Sequence, residues 1–116
     1  MNKIKVYGIR TYSYHGCLPE EGKIGGDFEI NVDLWCNFKS AAKEDDLKQT
    51  VNYVDVNKTV EEEMAIRANL IETVAYRIVN KIKQQHQIVE KVRVEIQKIN
   101  PPLDGDVKFV SVIVEE

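Results

Sequence analysis

The hydrophobic pattern of this chain changes its period twice, from two residues to about four and back to two. Apolar side chains occupy alternate positions from Phe28 to Phe38, which predicts a half-buried β-strand. From Val56 onward they recur every third or fourth residue, as on a helix that buries one side. Alternation then returns in residues 91–99. The chain therefore combines strands at both ends with helices in the middle.

The order of these segments predicts the fold class. The predicted elements are strands at 3–14 and 28–39, helices at about 54–66 and from 69 to the region of 83–86, and strands at 91–99 and 106–115. Residues 17–27, rich in Pro and Gly, are expected to form a loop, and 40–52 a polar connection with one helical turn. Asp104-Gly105 is a signal for a hairpin turn. The prediction is α+β, with both helices on one face of a four-stranded antiparallel sheet, in a single domain spanning 1–116.

The outer strands predict how the sheet is used. In the first strand, unbroken alternation places Ile4 and Val6 on one face and Tyr7 and Ile9 on the other. The last strand is apolar on both faces, so part of it is expected to be covered on both sides. Because free sheet edges are a liability for a monomer, the pattern favours an oligomer whose subunits join their sheets edge to edge.

Composition excludes several classes of partner. Hydrophobic residues make up 43% and charged residues 30%, and the net charge of −3 does not favour nucleic acid or an anionic membrane. No apolar run approaches the roughly 20 residues of a membrane span, and the N-terminus lacks a signal-peptide core, so we expect a cytoplasmic protein. The chain has two histidines and two cysteines without metal-ligand spacing, and it has no Gly-rich phosphate loop. We therefore expect neither a bound metal nor a cofactor.

Lys98 is the first candidate for chemistry. By parity it falls on the apolar face of the third strand, immediately before Asn100-Pro101-Pro102 ends that strand. Loss of water around a lysine favours its neutral amine, which can accept or donate a proton. The alternative, which strand parity alone favours, is that Lys98 extends past the strand end into solvent.

Four short motifs occur in order at the junctions of the predicted elements. They are Tyr14-His15-Gly16 followed by Glu21, Thr50-Val51-Asn52-Tyr53, Asn69-Leu70-Ile71-Glu72, and Lys98-x-Asn100-Pro101-Pro102. Over essentially its whole length the chain resembles the dihydroneopterin aldolase family of folate biosynthesis. The resemblance implies the tunnelling fold, in which subunits join their sheets into a β-barrel. It also implies an octamer of two stacked tetramer rings, with active sites at subunit interfaces.

The resemblance assigns roles to individual residues. It implies catalytic roles for Lys98, as acid and base, and for Tyr53 from a neighbouring subunit. It implies substrate contacts for Glu21, Val51, Tyr53, Ile71 and Glu72. Within this set, Glu72 and the backbone of Ile71 would hold the pterin ring, and Glu21 would position the substrate side chain or a water. Asn52 stands where relatives often have histidine, and Ser111 where they often have glycine.

The residues themselves allow other roles. Glu72 could instead form a capping box with Asn69 at the start of the second helix. Tyr53 could be a half-buried packing residue. His15 is expected to be a hydrogen-bonded turn residue rather than a catalyst.

The activity that the resemblance implies is a retro-aldol cleavage. The substrate would be 7,8-dihydroneopterin, and the products 6-hydroxymethyl-7,8-dihydropterin and glycolaldehyde, with epimerisation at C2′ as a possible second activity. Neither metal nor Schiff base would be needed. Two alternatives stay open: an epimerase of the same fold acting on dihydroneopterin or its triphosphate, and a non-catalytic oligomeric module that binds a pterin or purine.

Overall fold

The computed structural model describes residues 1–116 and contains the six predicted elements in the predicted order. A short helix at Lys39–Glu44 corresponds to the predicted helical turn, and a second at Pro19–Ile24 is additional. The elements are β1 (Asn2–Ser13), α1 (Pro19–Ile24), β2 (Gly26–Cys36), α2 (Lys39–Glu44), a 3-10 turn (Leu47–Gln49), α3 (Tyr53–Met64), α4 (Ile71–Gln85), β3 (Lys91–Ile99) and β4 (Phe109–Glu115). The α+β prediction is confirmed. The prediction of a loop at 17–27 is wrong for Pro19–Ile24, which form α1. No helix has the length and apolar character needed to cross a membrane.

The four strands form one antiparallel sheet in the order β1-β2-β3-β4. Helices α3 and α4 pack on one face of it, and a core of 20 buried residues fills the space between the two layers. The inward positions of β2 and β3 alternate as predicted, with Ile30 facing Ile96 across the two strands. In the same register Lys98 pairs with Phe28 on one side and Val110 on the other. Lys98 therefore lies on the core side of the sheet, as parity predicted.

Strand β1 contains an irregularity that reverses the predicted facing of Ile9. The β1–β2 register shifts between Val6 and Ile9, and Gly8 adopts φ 74°, a conformation that glycine tolerates best. The Gly8 N–H donates to Oδ1 of Asn31 at 2.7 Å. The shift returns Ile9 to the core side, where it is buried, so its placement with Tyr7 on the opposite face was wrong.

The face opposite the helices carries a buried carboxylate, Asp33. The Tyr7 hydroxyl donates to it at 2.8 Å, and Arg93 and Lys3 form ion pairs with it at 3.2 and 3.7 Å. The hydrogen bond to Asp33, with burial, raises the pKa of Tyr7. These partners satisfy the charge of Asp33 in the middle of the sheet.

Strand β4 is less covered than expected. Phe109, Val110 and Ile113 are exposed, so the prediction that part of this strand is covered on both faces is wrong within a single chain. Asp104-Gly105 lies in the connection from residue 100 to residue 108, which joins the antiparallel neighbours β3 and β4, so the predicted hairpin is confirmed.

The start of α4 differs from the predicted capping box. Its N-cap is Leu70, which provides no side-chain cap, and Asn69 Oδ1 instead accepts a hydrogen bond from Arg67 Nη1 at 3.2 Å. Asn69 therefore does not cap α4, and Glu72 is free of a capping role. The helix ends at Gln85, inside the predicted region.

Candidate active site

Lys98 and Glu21 form an ion pair at the end of β3. Both side chains are largely buried, with 19% and 13% of their surfaces exposed. A lysine ammonium has three N–H donors, so one can be engaged by Glu21 while two remain available to another molecule. The Lys98 amine is therefore held beside Glu21 and can still donate hydrogen bonds to another molecule.

The short helix α1 places Glu21 beside Lys98. Pro19 starts the helix at a position where its missing N–H is not needed. Glu21, at the third helical position, accepts a hydrogen bond from the Leu18 backbone N–H at 3.2 Å through Oε1, while Oε2 pairs with Lys98. Gly16, with φ 151°, leaves the space for this carboxylate, because a side chain there would collide with it.

A cavity of about 300 Å³ brings Lys98 together with the start of α4. Its lining includes Lys98, Leu70, Ile71, Glu72, Pro101 and Val110. Ile71 is buried, whereas the Glu72 carboxylate is exposed in the first turn of α4. The first backbone N–H groups of a helix have no partner within the helix. The cavity therefore offers an acceptor carboxylate, free N–H donors and apolar walls together.

A second, smaller cavity lies against Lys98 and Glu21. Its volume is about 170 Å³, and His15, Phe28 and Asn100 are among its lining residues. Lys98 lines both cavities. Lys98 is thus accessible from both cavities.

The segment after β1 and the α3–α4 connection are tied together by hydrogen bonds. The Gly16 N–H donates to the Ala68 carbonyl at 3.1 Å, and the Ala68 N–H donates to Nδ1 of His15 at 3.1 Å. Arg67 Nη2 donates to the Gly16 carbonyl at 2.9 Å. These contacts hold the part of the chain that carries Glu21 against the part that leads to Glu72.

His15 serves this junction as a neutral ring. Nδ1 accepts from Ala68, so in the neutral form the proton lies on Nε2. Burial lowers the pKa of His15 below its usual 6.5, and the nearby charges of Arg77, Lys98 and Arg67 lower it further. The prediction that His15 is hydrogen-bonded is confirmed.

Tyr53 and Val51 are not brought to this site within one chain. Tyr53 is 67% exposed at the first turn of α3, and neither cavity beside Lys98 includes it. Val51 is buried in the core, so its side chain is committed to packing. Asn52 is the N-cap of α3, its Oδ1 accepting from the Val54 N–H at 3.0 Å.

Comparison with known proteins decides the family. The sequence model of the family described as FolB, dihydroneopterin aldolase, matches residues 4–115. The dihydroneopterin aldolase of Bacillus subtilis (strain 168) is 34% identical over 115 residues, which cover 97% of this chain and 94% of that protein. The chain belongs to the dihydroneopterin aldolase family. It is accordingly a lyase, and the predictions of family and aldolase function are confirmed.

Solved structures agree on the fold of this aldolase. The crystal structure of the Escherichia coli dihydroneopterin aldolase in complex with neopterin matches with a TM-score of 0.92 and 21% identity, covering 100% of this chain and 99% of that one. That of the Burkholderia thailendensis enzyme bound to guanine matches with a TM-score of 0.78 and 25% identity, covering 99% and 89%. The tunnelling fold is therefore confirmed.

One side chain and one contact near the site of this aldolase could not be predicted from the sequence. Arg67 sits in a short connection with no periodic pattern, so nothing in the sequence indicates that its guanidinium reaches Gly16. The Lys98–Glu21 contact was likewise hidden, because it depends on α1, whose six residues are too few to show a helical period.

Proposed function

We propose that this aldolase cleaves 7,8-dihydroneopterin into 6-hydroxymethyl-7,8-dihydropterin and glycolaldehyde, at a site built around Lys98. The observation that carries the proposal is the Lys98–Glu21 ion pair at the edge of a cavity that also contains Glu72. A fixed amine and an unengaged carboxylate in one cavity suit, respectively, proton transfer and recognition of a donor-rich ring.

Glu72 recognises the amino-pyrimidine edge of the pterin in this proposal. Neopterin and guanine, the compounds bound in the two solved relatives, share a 2-amino-4-oxo-pyrimidine ring. The N–H groups on one side of this ring can donate two hydrogen bonds to a carboxylate, and its carbonyl can accept one from a backbone N–H. The Glu72 carboxylate and the first N–H groups of α4 supply that pattern at the cavity wall.

The Lys98 amine serves the substrate side chain. The ion pair with Glu21 holds this amine beside the cavity. The cavity walls limit the freedom of the amine, so little entropy is lost when the substrate hydroxyl arrives. Glu21 thereby acts on the side chain or on a water held beside it.

The bond changes need no help from a metal or from an imine with the protein. The 2′-hydroxyl loses its proton as the C1′–C2′ bond breaks, and the electron pair enters the N5=C6 imine of the dihydropterin, where N5 takes up a proton. C2′ and C3′ leave as glycolaldehyde. A proton then returns to C1′, and loss of the N5 proton restores the imine. Lys98 and Tyr53 move these protons, directly or through water; reversal after rotation of the aldehyde epimerises C2′.

Tyr53 reaches the site from a neighbouring subunit. Its exposed ring has no place in the Lys98 cavity of its own chain, and β4 leaves an apolar edge uncovered. A heterologous ring, in which each subunit presents Tyr53 to the next, completes the site and covers the edge at once. We propose two tetramer rings stacked as an octamer, with the backbone of Val51 in the same interface.

Glycolaldehyde release is the direct test. The purified full-length protein is incubated with 7,8-dihydroneopterin, and we expect stoichiometric glycolaldehyde and hydroxymethyl-dihydropterin, undiminished by EDTA. Borohydride added with substrate is expected to attach no fragment to the protein. Lys98→Met keeps most of the stem, so it should bind neopterin but turn over at least about 100-fold more slowly. Near-normal turnover in that variant, or a trapped lysine adduct, would remove Lys98 from the proposed role.

A further inference from the structure

Arg67 contacts both walls of the proposed site without lining its cavity. Its Nη2 donates to the Gly16 carbonyl at 2.9 Å, and its guanidinium lies over Gly22, where a Cβ would come within 2.7 Å of Nε. Its Nη1 donates to Asn69 Oδ1 at 3.2 Å on its own connection. One planar group therefore touches the chain on both sides of Glu21 and the chain that leads into α4.

The two walls carry different parts of the proposed chemistry. Residues 16–22 form the wall that holds Glu21 against Lys98, and residues 67–72 form the wall that holds Glu72. The guanidinium has its N–H donors fixed in one plane, so it constrains the angle as well as the distance between the groups it joins. The lack of a side chain at Gly22 lets the guanidinium approach α1 this closely.

We infer that Arg67 is a positioning residue for the cleavage, which sets Glu21 and Lys98 in place relative to Glu72. This inference rests on the function proposed for the same site. Once Arg67 is lost, the backbone hydrogen bond from Gly16 to Ala68 still joins the two walls at one end. The wall that carries Glu21 loses the guanidinium contacts at the Gly16 carbonyl and at Gly22, so α1 can shift relative to the start of α4. Displacement of reacting groups by about 1 Å can cost about 100-fold in rate, so the chemical step suffers more than binding of the pterin ring.

Arg77 provides a matched control. Its Nη2 donates to the carbonyls of Glu63 and Ile66 at 3.0 and 2.7 Å, and its Nε pairs with Glu63 at 3.2 Å. It thus anchors the same α3–α4 connection from α4, with no hydrogen bond to residues 16–22. Loss of Arg77 weakens the fold near the site without releasing one wall from the other.

The experiment compares Arg67→Met with Arg77→Met, each keeping an aliphatic stem without N–H donors. For the full-length proteins, kcat with 7,8-dihydroneopterin, Kd for neopterin and the melting temperature are measured. Arg67→Met is expected to lower kcat at least about tenfold and to change Kd less than about threefold. Arg77→Met is expected to lower the melting temperature at least as much as Arg67→Met does. Its kcat is expected to stay within about threefold of that of the original protein.

Three results would overturn the inference. They are an unchanged kcat in Arg67→Met, equal kcat losses in the two variants, and a loss of neopterin affinity as large as the loss of kcat. If Arg67→Met does not fold, Arg67→Lys against Arg77→Lys decides by the same criteria, since lysine cannot reproduce the planar contacts. If the original protein releases no glycolaldehyde, the proposed function fails and this inference fails with it. If the original protein is active and one of the three results above is found, only this inference fails.

Discussion

Glu72 stands at the second position of α4 with its carboxylate exposed and no capping hydrogen bond. The sequence alone allowed two roles, because Asn69-x-x-Glu72 has the spacing of a capping box. The structure removes one of them, since the Asn69 side chain bonds to Arg67. What remains for Glu72 within the fold is a favourable position at the positive end of a helix, worth about 0.3–1 kcal/mol.

Glu72→Ala is therefore expected to reduce pterin binding more than stability. A charge-assisted hydrogen bond contributes about 1.5–3 kcal/mol, so neopterin affinity should fall by about one to two decades. Glu72→Gln, which keeps the shape and one acceptor, should lie between the original protein and Glu72→Ala. Calorimetric titration and melting curves measure the two effects. Unchanged affinity with a clearly lowered melting temperature would assign Glu72 to the helix and not to the ligand.

Single residues differ in how far the sequence predicted them. Lys98 followed from strand parity, because its facing depends only on the alternation of β3. Glu21 followed only from the family resemblance, and its contact with Lys98 depends on a helix that the sequence did not reveal. The family resemblance identifies Tyr53, but a single chain does not show its contacts at the site, since they are proposed to lie in another subunit.

At the level of elements, the junction between the end of β1 and the α3–α4 connection determines the shape of the site. His15 is buried there with Nδ1 accepting from the Ala68 N–H. The ring packs edge-on against Phe28, with centroids 5.4 Å apart, and the charges of Arg77, Lys98 and Arg67 lie near it. A proton on Nδ1 would remove the acceptor of the Ala68 N–H. It would also place a positive charge near those of the three basic side chains.

The lowered pKa of His15 predicts acid sensitivity of the fold. Between its usual 6.5 and the lower value of the folded protein, the unfolded chain binds a proton that the folded chain does not. Stability is therefore lost as the pH falls through this window, and the loss stops below the folded pKa. His15→Asn keeps an acceptor for Ala68 and cannot titrate, so it should lack this loss.

Melting curves at pH 7.5 and 5.5 check this. The variant should be less stable at pH 7.5, because it fills the space poorly. The difference in melting temperature between His15→Asn and the original protein should be smaller at pH 5.5 than at pH 7.5 by at least about 2 °C. A shift of that size corresponds to a fraction of 1 kcal/mol in a domain of this size. Parallel changes in the two proteins would show that His15 does not control the acid response.

Long periodic elements were predictable, and the interruptions were not. Strands β2 and β3 and helices α3 and α4 follow from their periods, because burial of one face dictates the pattern. The bulge at Gly8 moved Ile9 to the other face, since one register shift reverses every side chain beyond it. The cap of α4 depended on where the Arg67 side chain goes, which no local pattern encodes.

The whole molecule is elongated, with extents of 52 × 24 × 20 Å and a radius of gyration of 15.5 Å. A compact domain of this length has a radius of gyration of about 13 Å. The elongated shape and the exposed Phe109 and Ile113 on β4 are compatible with the proposed ring. The proposed ring accounts for this shape and for the distance of Tyr53 from its own Lys98 cavity.

Mixing of inactive subunits tests the ring. Tyr53→Ala and Lys98→Ala chains should each be nearly inactive alone. When they are unfolded together in equal amounts and refolded, a site shared between neighbours receives an intact Tyr53 with probability one half and an intact Lys98 with probability one half. About a quarter of the original activity should return if assembly is random and the ring is heterologous.

A second mixture provides the control. The original chain refolded with an equal amount of the double variant should also give about a quarter of full activity for shared sites, but about one half for sites built within one chain.

The most direct single measurement is therefore the glycolaldehyde released per subunit by the mixture of Tyr53→Ala and Lys98→Ala chains, in rings shown by mass to be mixed. Recovery to about a quarter of the original rate is the predicted result. A rate no higher than that of the separate variants would contradict a site shared between Tyr53 of one subunit and Lys98 of the next.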